Sequence, residues 1–173
     1  MEEAGLAEEQ PLQNADLILF TDGSSFIDKG VRKPGWAVTS LYKVMAEGSL
    51  PQGTSAQQAE LKALTEACQM AKDQSANIYL DSRHGFGVAY DFGYFWKKRG
   101  YLTTAGTPIR NGKEVQDLLE AMALPKELSI LKCKAHTQEE TMEAKGNGFA
   151  DQAAKKAAPL SGILQHHQET STN

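Results

Sequence analysis

The sequence lacks the features that define several protein classes. It has only two cysteines in 173 residues, Cys68 and Cys133, and nothing in their spacing calls for a disulfide, so two free thiols in a reducing compartment such as the cytoplasm are expected. No apolar run approaches the ~20 residues that cross a bilayer. The first ten residues carry four glutamates and no basic residue, which excludes a signal peptide. We therefore expect a globular protein with no membrane segment.

The sequence also lacks an overall excess of basic residues, because its formal net charge is −4. The acids are unevenly distributed, however: residues 1–16 hold five of the 22 acids and no base, and the tail from residue 159 holds one acid. The segment between them has 16 acids and all 18 Lys and Arg residues. Four of these acids are candidate metal ligands, so the remaining surface is mildly basic and suits phosphate contact.

The chain divides into one domain with polar ends. Residues 1–16 are predicted to be an acidic linker or arm, residues 17–158 a folded domain, and residues 159–173 a polar tail. The middle segment is long enough to bury a sizeable core, and it contains no internal repeat.

Hydrophobic periodicity predicts the element order βββαβααβα. Strands are expected at residues 17–21, 35–41, 43–49, 77–81 and 128–133, and the first is expected to end in a turn at residues 22–25. Helices are expected from residue 54 or 55 to about 73, and at about 82–91, 111–123 and 143–158. Three strands joined by short turns indicate antiparallel pairing, and strands separated by helices indicate parallel pairing. The predicted fold class is α/β, a five-stranded mixed sheet with helices on both faces.

Four carboxylates lie on four separate predicted elements. Asp22 and Asp81 each follow an apolar strand, where ligands collect in such sheets. Glu60 lies on the first helix among apolar residues, and Asp151 lies on the last helix among alanines. Each acid alone is as readily a turn, cap or surface residue. As a set beside apolar surface they would need a shared cation, and their oxygens suit Mg²⁺ or Mn²⁺, of which two ions can clamp a phosphodiester.

Five motifs occur in a fixed order along the chain. They are TDGSS at 21–25, TSAQQAEL at 54–61, DSR at 81–83, His136, and GNGFADQAA at 146–154. Together they resemble the type 1 ribonuclease H family, most closely the RNase H domains of gammaretroviral reverse transcriptases. The resemblance implies the ribonuclease H-like fold and hydrolysis of the RNA strand of RNA–DNA hybrids. It also implies two Mg²⁺ ions, replaceable by Mn²⁺, held by Asp22, Glu60, Asp81 and Asp151.

The resemblance extends to the setting of the domain and to one histidine. It implies a polymerase domain in a retroviral or endogenous-retroviral Pol polyprotein, a cytoplasmic or virion-associated location, and a monomeric isolated domain. A lone loop histidine is usually a solvated bystander, but the resemblance gives His136 a catalytic role near the metals, in proton transfer or product release. Ala135 departs from the family, in which a glycine is usual at this position.

Further residues resemble the family's contacts to the hybrid. The residues beside the carboxylates in this group are Gly23, Ser24, Gln57, Ser82, Arg83 and His84. Gly23 and Ser24 would contact the RNA strand through their backbone, and Gln57 would reach a base edge in the minor groove. His84 stands where a tyrosine is usual in the gammaretroviral pattern, which predicts a smaller and more polar contact with DNA.

Residues 94–100 combine three aromatic and three basic residues and resemble the basic protrusion of gammaretroviral and cellular enzymes. Lys97, Lys98 and Arg99 would hold phosphate, and Trp96 would lie against the sugar–phosphate backbone. The alternative is an amphipathic helix with a solvated basic end.

Two other functions compete with the hybrid-specific endonuclease. One is a non-catalytic interaction or nucleic-acid-binding module, such as a domesticated retroviral domain; its expected signature is the loss of a carboxylate, and all four are present. The other is a related nuclease or DNA strand-transfer enzyme, in which the TDGSS and GNxxAD signatures are not expected together.

Overall fold

The structure is a computed structural model that describes residues 10–92, 110–133 and 141–158. His136, the basic segment 94–100 and the tail 159–173 lie outside the described residues. In the part that is described, no helix is both long enough and apolar enough to cross a membrane.

One mixed sheet organises the described residues. Its strands are β1 (Leu17–Asp28), β2 (Val31–Thr39), β3 (Val44–Ser49), β4 (Ser75–Leu80) and β5 (Glu127–Lys132). Their order across the sheet is β3-β2-β1-β4-β5. β1, β2 and β3 pair antiparallel, whereas β4 pairs parallel with both β1 and β5. The predicted five-stranded mixed sheet is confirmed.

Four helices occur in the described ranges. They are α1 (Ala56–Met70), α2 (Arg83–Gly87), which leads into a π-helical turn (Val88–Phe92), α3 (Gly112–Ala121) and α4 (Met142–Ala157). Ser55 caps α1 with a reciprocal pair of hydrogen bonds: its hydroxyl accepts from the Gln58 N–H at 3.1 Å, and the Gln58 side chain accepts from the Ser55 N–H at 2.9 Å. The predicted order of elements is confirmed.

The predicted turn at residues 22–25 is wrong. β1 continues through this segment, and Asp22 pairs with Ala37 of β2. The chain reverses later, at Lys29 and Gly30, which have φ angles of 54° and 81° as a tight hairpin requires. Pairing with a long neighbouring strand therefore overrides the local turn preference of the Asp-Gly sequence.

The sheet has a core on each face. α1 covers one face, where large apolar side chains such as Leu19, Leu64 and Ile78 are fully buried. α4 packs on the other face, where Phe20 stacks on Tyr79 with ring centroids 5.2 Å apart. Both cysteines are free and buried, in agreement with the expectation of free thiols.

Small residues let α4 approach the sheet closely. Ala153 and Ala154 of α4 pack against Ala37 of β2. A Cβ atom added to Gly35 of β2 would lie 2.5 Å from the backbone oxygen of Ala154 and 2.4 Å from the nitrogen of Ala158. This backbone contact holds the helix that carries Asp151 against β2, the strand that pairs with the Asp22 segment of β1.

Candidate active site

The four predicted carboxylates line one open cleft, with a cavity volume of about 390 Å³. We refer to them as the carboxylate cluster: Asp22, Glu60, Asp81 and Asp151. The same cleft is lined by five further residues from the sequence prediction: Gly23, Gln57, Ser82, Arg83 and His84. The fold thus brings together nine residues that are spread over most of the domain. Ser24, the next residue along β1, is not among the lining residues.

Asp22 and Glu60 are brought together by direct contact between two backbones. Asp22 lies within β1, is 6% exposed, and accepts a hydrogen bond from the Gly23 N–H at 2.8 Å. A Cβ atom added to Gly23 would lie 2.3 Å from the backbone nitrogen of Glu60, so only glycine lets α1 cross β1 at this distance. The glycine of the TDGSS motif therefore sets how close Glu60 comes to Asp22.

Glu60 is hydrogen-bonded inside the cleft. The Ser82 hydroxyl donates to Oε1 of Glu60 at 2.7 Å and accepts from the Gly85 N–H at 2.9 Å as the N-cap of α2. Burial raises the pKa of Glu60, the bond from Ser82 lowers it, and the nearby Asp81 charge raises it. Ser82, which the resemblance assigns to nucleic-acid binding, is itself buried and contacts a cluster member.

Asp81 has a partner that the sequence prediction missed. The Asn147 side-chain amide donates to Oδ2 of Asp81 at 3.3 Å. Asn147 is buried on α4, and its Oδ1 has no hydrogen-bond partner in the described part of the chain. The available signal was spacing: Asn147 lies four residues before Asp151, so both side chains project from the same side of the helix.

The cluster concentrates negative charge in a partly buried place. Burial, the charge of Asp81 and the adjacent Asp151 raise the pKa of Asp22 to about 8. Asp151 forms an ion pair with Lys155, one helical turn later, at 3.0 Å. Lys155 thus offsets part of the negative charge at Asp151, while buried Asp22 forms no ion pair with a basic residue in the described part of the chain.

The donor set of the cleft fits hard divalent cations. All four cluster members offer carboxylate oxygens. Burial and then the repulsion from Asp81 and Asp151 raise the pKa of Asp22, and a bound cation would relieve this repulsion. As the side chains stand, no group of three or more His, Cys, Asp or Glu residues among those described is arranged to hold a metal ion. Glu60, Asp81 and Asp151 are each turned towards a protein donor instead. Each of these contacts engages one carboxylate oxygen, so the other oxygen of the same side chain can bind an ion while the protein partner is kept.

Polar residues flank the cluster along the cleft. The Gln57 side chain accepts a hydrogen bond from the Asn111 amide at 3.3 Å, while Arg83 is exposed. Burial and the charge of Arg110 lower the pKa of His84, which favours the neutral imidazole. Its Nε2 is buried with no partner in the described residues. Trp96, Lys97, Lys98, Arg99 and His136 lie outside those residues.

Comparison with known proteins identifies relatives over most of the chain. The RNase H family model matches residues 14–159. The chain is 49% identical over 150 residues to the Pol polyprotein of Radiation murine leukemia virus (strain Kaplan) and, over the same length, to the Gag-Pol polyprotein of Feline leukemia virus. These matches cover 87% of this chain but only 26% and 9% of the two polyproteins.

A solved structure has the same fold. The solution structure of the prototype foamy virus (PFV) RNase H domain aligns with a TM-score of 0.63 and 21% identity, over 82% of this chain and 93% of that one. At this identity the likeness concerns the fold, and it agrees with the ribonuclease H-like architecture predicted from the sequence.

Proposed function

Since this chain belongs to the ribonuclease H family and its enzyme class is ribonuclease H, we propose that it hydrolyses the RNA strand of RNA–DNA hybrids at the carboxylate cluster. The observation that carries the proposal is the convergence of four carboxylates from β1, α1, the end of β4 and α4 in one cleft. The alternative of a non-catalytic module gives no reason to maintain this concentration of buried negative charge.

The cluster would hold two divalent metal ions, Mg²⁺ or Mn²⁺. The family generally depends on divalent metals, and when bound the ions would activate water and stabilise the charge of the leaving oxygen. The chain's own part is to provide the oxygens and to set their positions. Gly23 fixes the separation of Asp22 and Glu60, and Ser82 and Asn147 orient Glu60 and Asp81.

Substrate selection would depend on shape rather than sequence. Single base edges are of little use to an enzyme that cuts any hybrid, so phosphates and the 2′-hydroxyl must be recognised. Gly23, Gln57 and Arg83 line the cleft beside the cluster, and Arg83 is exposed. Arg83 would meet a phosphate. We propose that Gly23 and Ser24 contact the RNA strand through their backbone and that His84 contacts the DNA strand. Gln57, Ser82 and Arg83 would contact the hybrid beside the cluster. Lys97, Lys98 and Arg99 would hold phosphate, and Trp96 would lie against the sugar–phosphate backbone. His136 would assist proton transfer or product release.

The setting of the domain follows from its relatives. Both polyproteins are far longer than this chain, so we propose that the domain works joined to a polymerase domain, in the cytoplasm or in a virion, with residues 1–16 and 159–173 as connecting segments. One copy of the chain supplies all four carboxylates, so the isolated domain should act as a monomer.

A cleavage assay with separately labelled strands tests the proposal. The RNA strand of a hybrid should be cut with Mg²⁺ or Mn²⁺ and left intact with EDTA, while the DNA strand and an RNA duplex should survive. Asp117→Asn is the matched control for changes in the cluster, because Asp117 is a partly exposed acid of α3, outside the cleft and paired with Lys113. Binding of hybrid without cutting would favour the non-catalytic module, and equal cutting of an RNA duplex would refute the substrate class.

A further inference from the structure

Three buried polar side chains form a shelf on one face of the sheet. Ser75 and Asn77 lie on β4, and Ser129, the register partner of Asn77, lies on β5. Their exposed fractions are 8%, 5% and 0%. Because side chains alternate along a strand, Ser75 and Asn77 share a face with Tyr79, which belongs to the core cluster under α4. Buried polar groups need partners, and here the partners come from the N-terminal segment.

The helix on this face does not cover the shelf. α4 packs mainly against β1, β2 and β3 and barely contacts β4. The half of the face over β4 and β5 is crossed instead by residues 10–16, which precede β1. Residues 10–16 thus cover β4 and β5 beside α4, where a second helix could otherwise pack on this face of the sheet.

The shelf side chains form hydrogen bonds to the main chain of residues 10–16. Oδ1 of Asn77 accepts from the Leu12 N–H at 2.8 Å, and Nδ2 of Asn77 donates to the Leu12 carbonyl at 3.0 Å. One side-chain amide thereby makes both bonds that a neighbouring antiparallel strand residue would make. The Ser129 hydroxyl donates to the Gln10 carbonyl at 2.6 Å. None of these three bonds depends on the side chain of Leu12 or Gln10.

The other end of the segment is fastened at Ser75. The Asp16 N–H donates to the Ser75 hydroxyl at 2.8 Å, and the Asp16 carboxylate accepts from the Ser75 N–H and hydroxyl at 2.9 and 3.1 Å. Between Leu12 and Asp16 the chain turns at Asn14, whose φ of 58° is a left-handed conformation that asparagine tolerates. The segment is therefore held at Gln10, Leu12 and Asp16.

We propose that residues 10–16 are a latch, and that the shelf is a docking site for the polypeptide that enters the domain from its N-terminal side. The latch would bring the chain onto edge strand β5 at Gln10. Gln10 lies on the α4 face, beside the third residue of β5. Asn77 precedes Asp81 by four residues, or roughly 13 Å of extended strand. A domain that precedes the latch would thus be held away from the cleft, and its attachment would involve no residue of the cleft.

The latch reaches beyond the part of the chain that the family comparison covers. The family match begins at residue 14, so the attachments of Gln10 and Leu12 lie outside it. They also lie within residues 1–16, for which composition predicts only a linker. The shelf residues Ser75, Asn77 and Ser129 lie inside the match but do not line the cleft, so the docking site is independent of the proposed cleavage chemistry.

Amide hydrogen exchange on the full chain tests the latch. The Leu12 and Asp16 N–H groups should exchange at least roughly tenfold more slowly than in a free peptide. Asn77→Leu should return Leu12 to the free-peptide rate while hybrid cleavage per folded molecule is unchanged. Free-peptide exchange in the parent protein, or unchanged protection in the folded Asn77→Leu variant, would overturn the proposal.

A second pair of variants avoids any change in the sheet. Leu12→Pro removes the N–H that Asn77 accepts, whereas Leu12→Ala keeps both main-chain bonds. With a nitroxide on Gln10→Cys, amide signals of β5 should broaden and those of β3, at the opposite edge, should not. Leu12→Pro should abolish the selective broadening of β5 and speed the exchange of the Asp16 N–H. Leu12→Ala should keep both the broadening and the slow exchange. Equal behaviour of the two variants, or no selective broadening of β5, would contradict the latch.

Discussion

The Ser82 hydroxyl ties Glu60 to the start of α2: it donates to Oε1 of Glu60 at 2.7 Å while it accepts from the Gly85 N–H at 2.9 Å. Because Ser82 follows directly after Asp81, this bond links α1 to the end of β4. Two members of the carboxylate cluster are thus positioned relative to each other through one buried hydroxyl.

Ser82→Ala should reduce hybrid cleavage by roughly 10–100-fold, the range found when a residue that orients a metal ligand is removed. Loss of the donor removes the contribution that lowers the pKa of Glu60, so the acid limb of the pH–rate profile should move to higher pH. Ser82→Thr keeps both the hydroxyl and the cap and is the control. If Ser82→Ala loses activity without any shift in the pH profile, the bond acts only through the stability of α2.

Asp22→Asn should abolish Mg²⁺-dependent cleavage and leave the fold intact, since it removes a charge and a ligand oxygen at nearly constant volume. The measurement is single-turnover cleavage beside a circular dichroism spectrum, with Asp117→Asn as the matched surface control. Retention of more than a few percent of parental activity would refute the assignment of Asp22 to the metal site.

Asp22 should also make stability depend on pH when divalent metal is absent. Its pKa is raised from 3.8 to about 8 in the folded state, so the folded state binds this proton more tightly than the unfolded state. The free energy of unfolding should therefore fall as pH rises from about 4 to about 8. In EDTA at the upper end of that range, Asp22→Asn should be more stable than the parent by on the order of 1–3 kcal/mol.

Urea unfolding at a series of pH values, for both proteins in EDTA, gives the difference directly. Comparing the two proteins cancels the contributions of other titrating groups. Added Mg²⁺ should narrow the difference by stabilising the parent protein. Parallel pH profiles for the parent and Asp22→Asn would show that the carboxyl titrates normally.

His136→Ala should slow turnover far less than the loss of a cluster carboxylate. General acid–base assistance contributes roughly 10²–10⁴-fold at most. Steady-state and single-turnover rates should be compared, because a role in product release affects only the former. A variant as inactive as Asp22→Asn would mean that the histidine has a more central role than the resemblance implies.

Replacing Lys97, Lys98 and Arg99 together with alanine should weaken hybrid binding and leave the chemical step nearly unchanged. Each lost phosphate contact should reduce the slope of log affinity against log salt by about 0.9 for duplex DNA, and by somewhat less for a hybrid. Binding would be measured across a salt series in Ca²⁺ to suppress cleavage. If the salt dependence of the variant superimposes on that of the parent, the segment is a solvated surface and not a substrate contact.

The order of elements and the membership of the cleft could be predicted from sequence because their signals are local. Apolar runs mark the strands, and Ser55 and Gln58 mark the start of α1 at the residue where the structure begins it. The motifs around Asp22, Glu60, Asp81 and Asp151 resemble a family in which these residues meet, and the fold places them in one cleft.

Long-range contacts could not be predicted, because they depend on how the sheet and helices come together. The bond between Asn147 and Asp81 joins residues 66 apart in sequence, and that between Ser129 and Gln10 joins residues 119 apart. Asn111 likewise makes a long-range contact that its local sequence does not predict. It stands at the predicted N-cap of α3 but takes a left-handed conformation with no capping bond, and its amide contacts Gln57 instead.

The position of α4 as the last described element has a consequence for the timing of activity. The first three carboxylates lie between residues 22 and 81, whereas Asp151 arrives only with the helix that closes against Gly35. Domains form progressively as a chain leaves the ribosome, so a nascent chain would possess most of the cleft long before it possessed the fourth carboxylate. The cleft would therefore be complete only when nearly the whole domain has emerged.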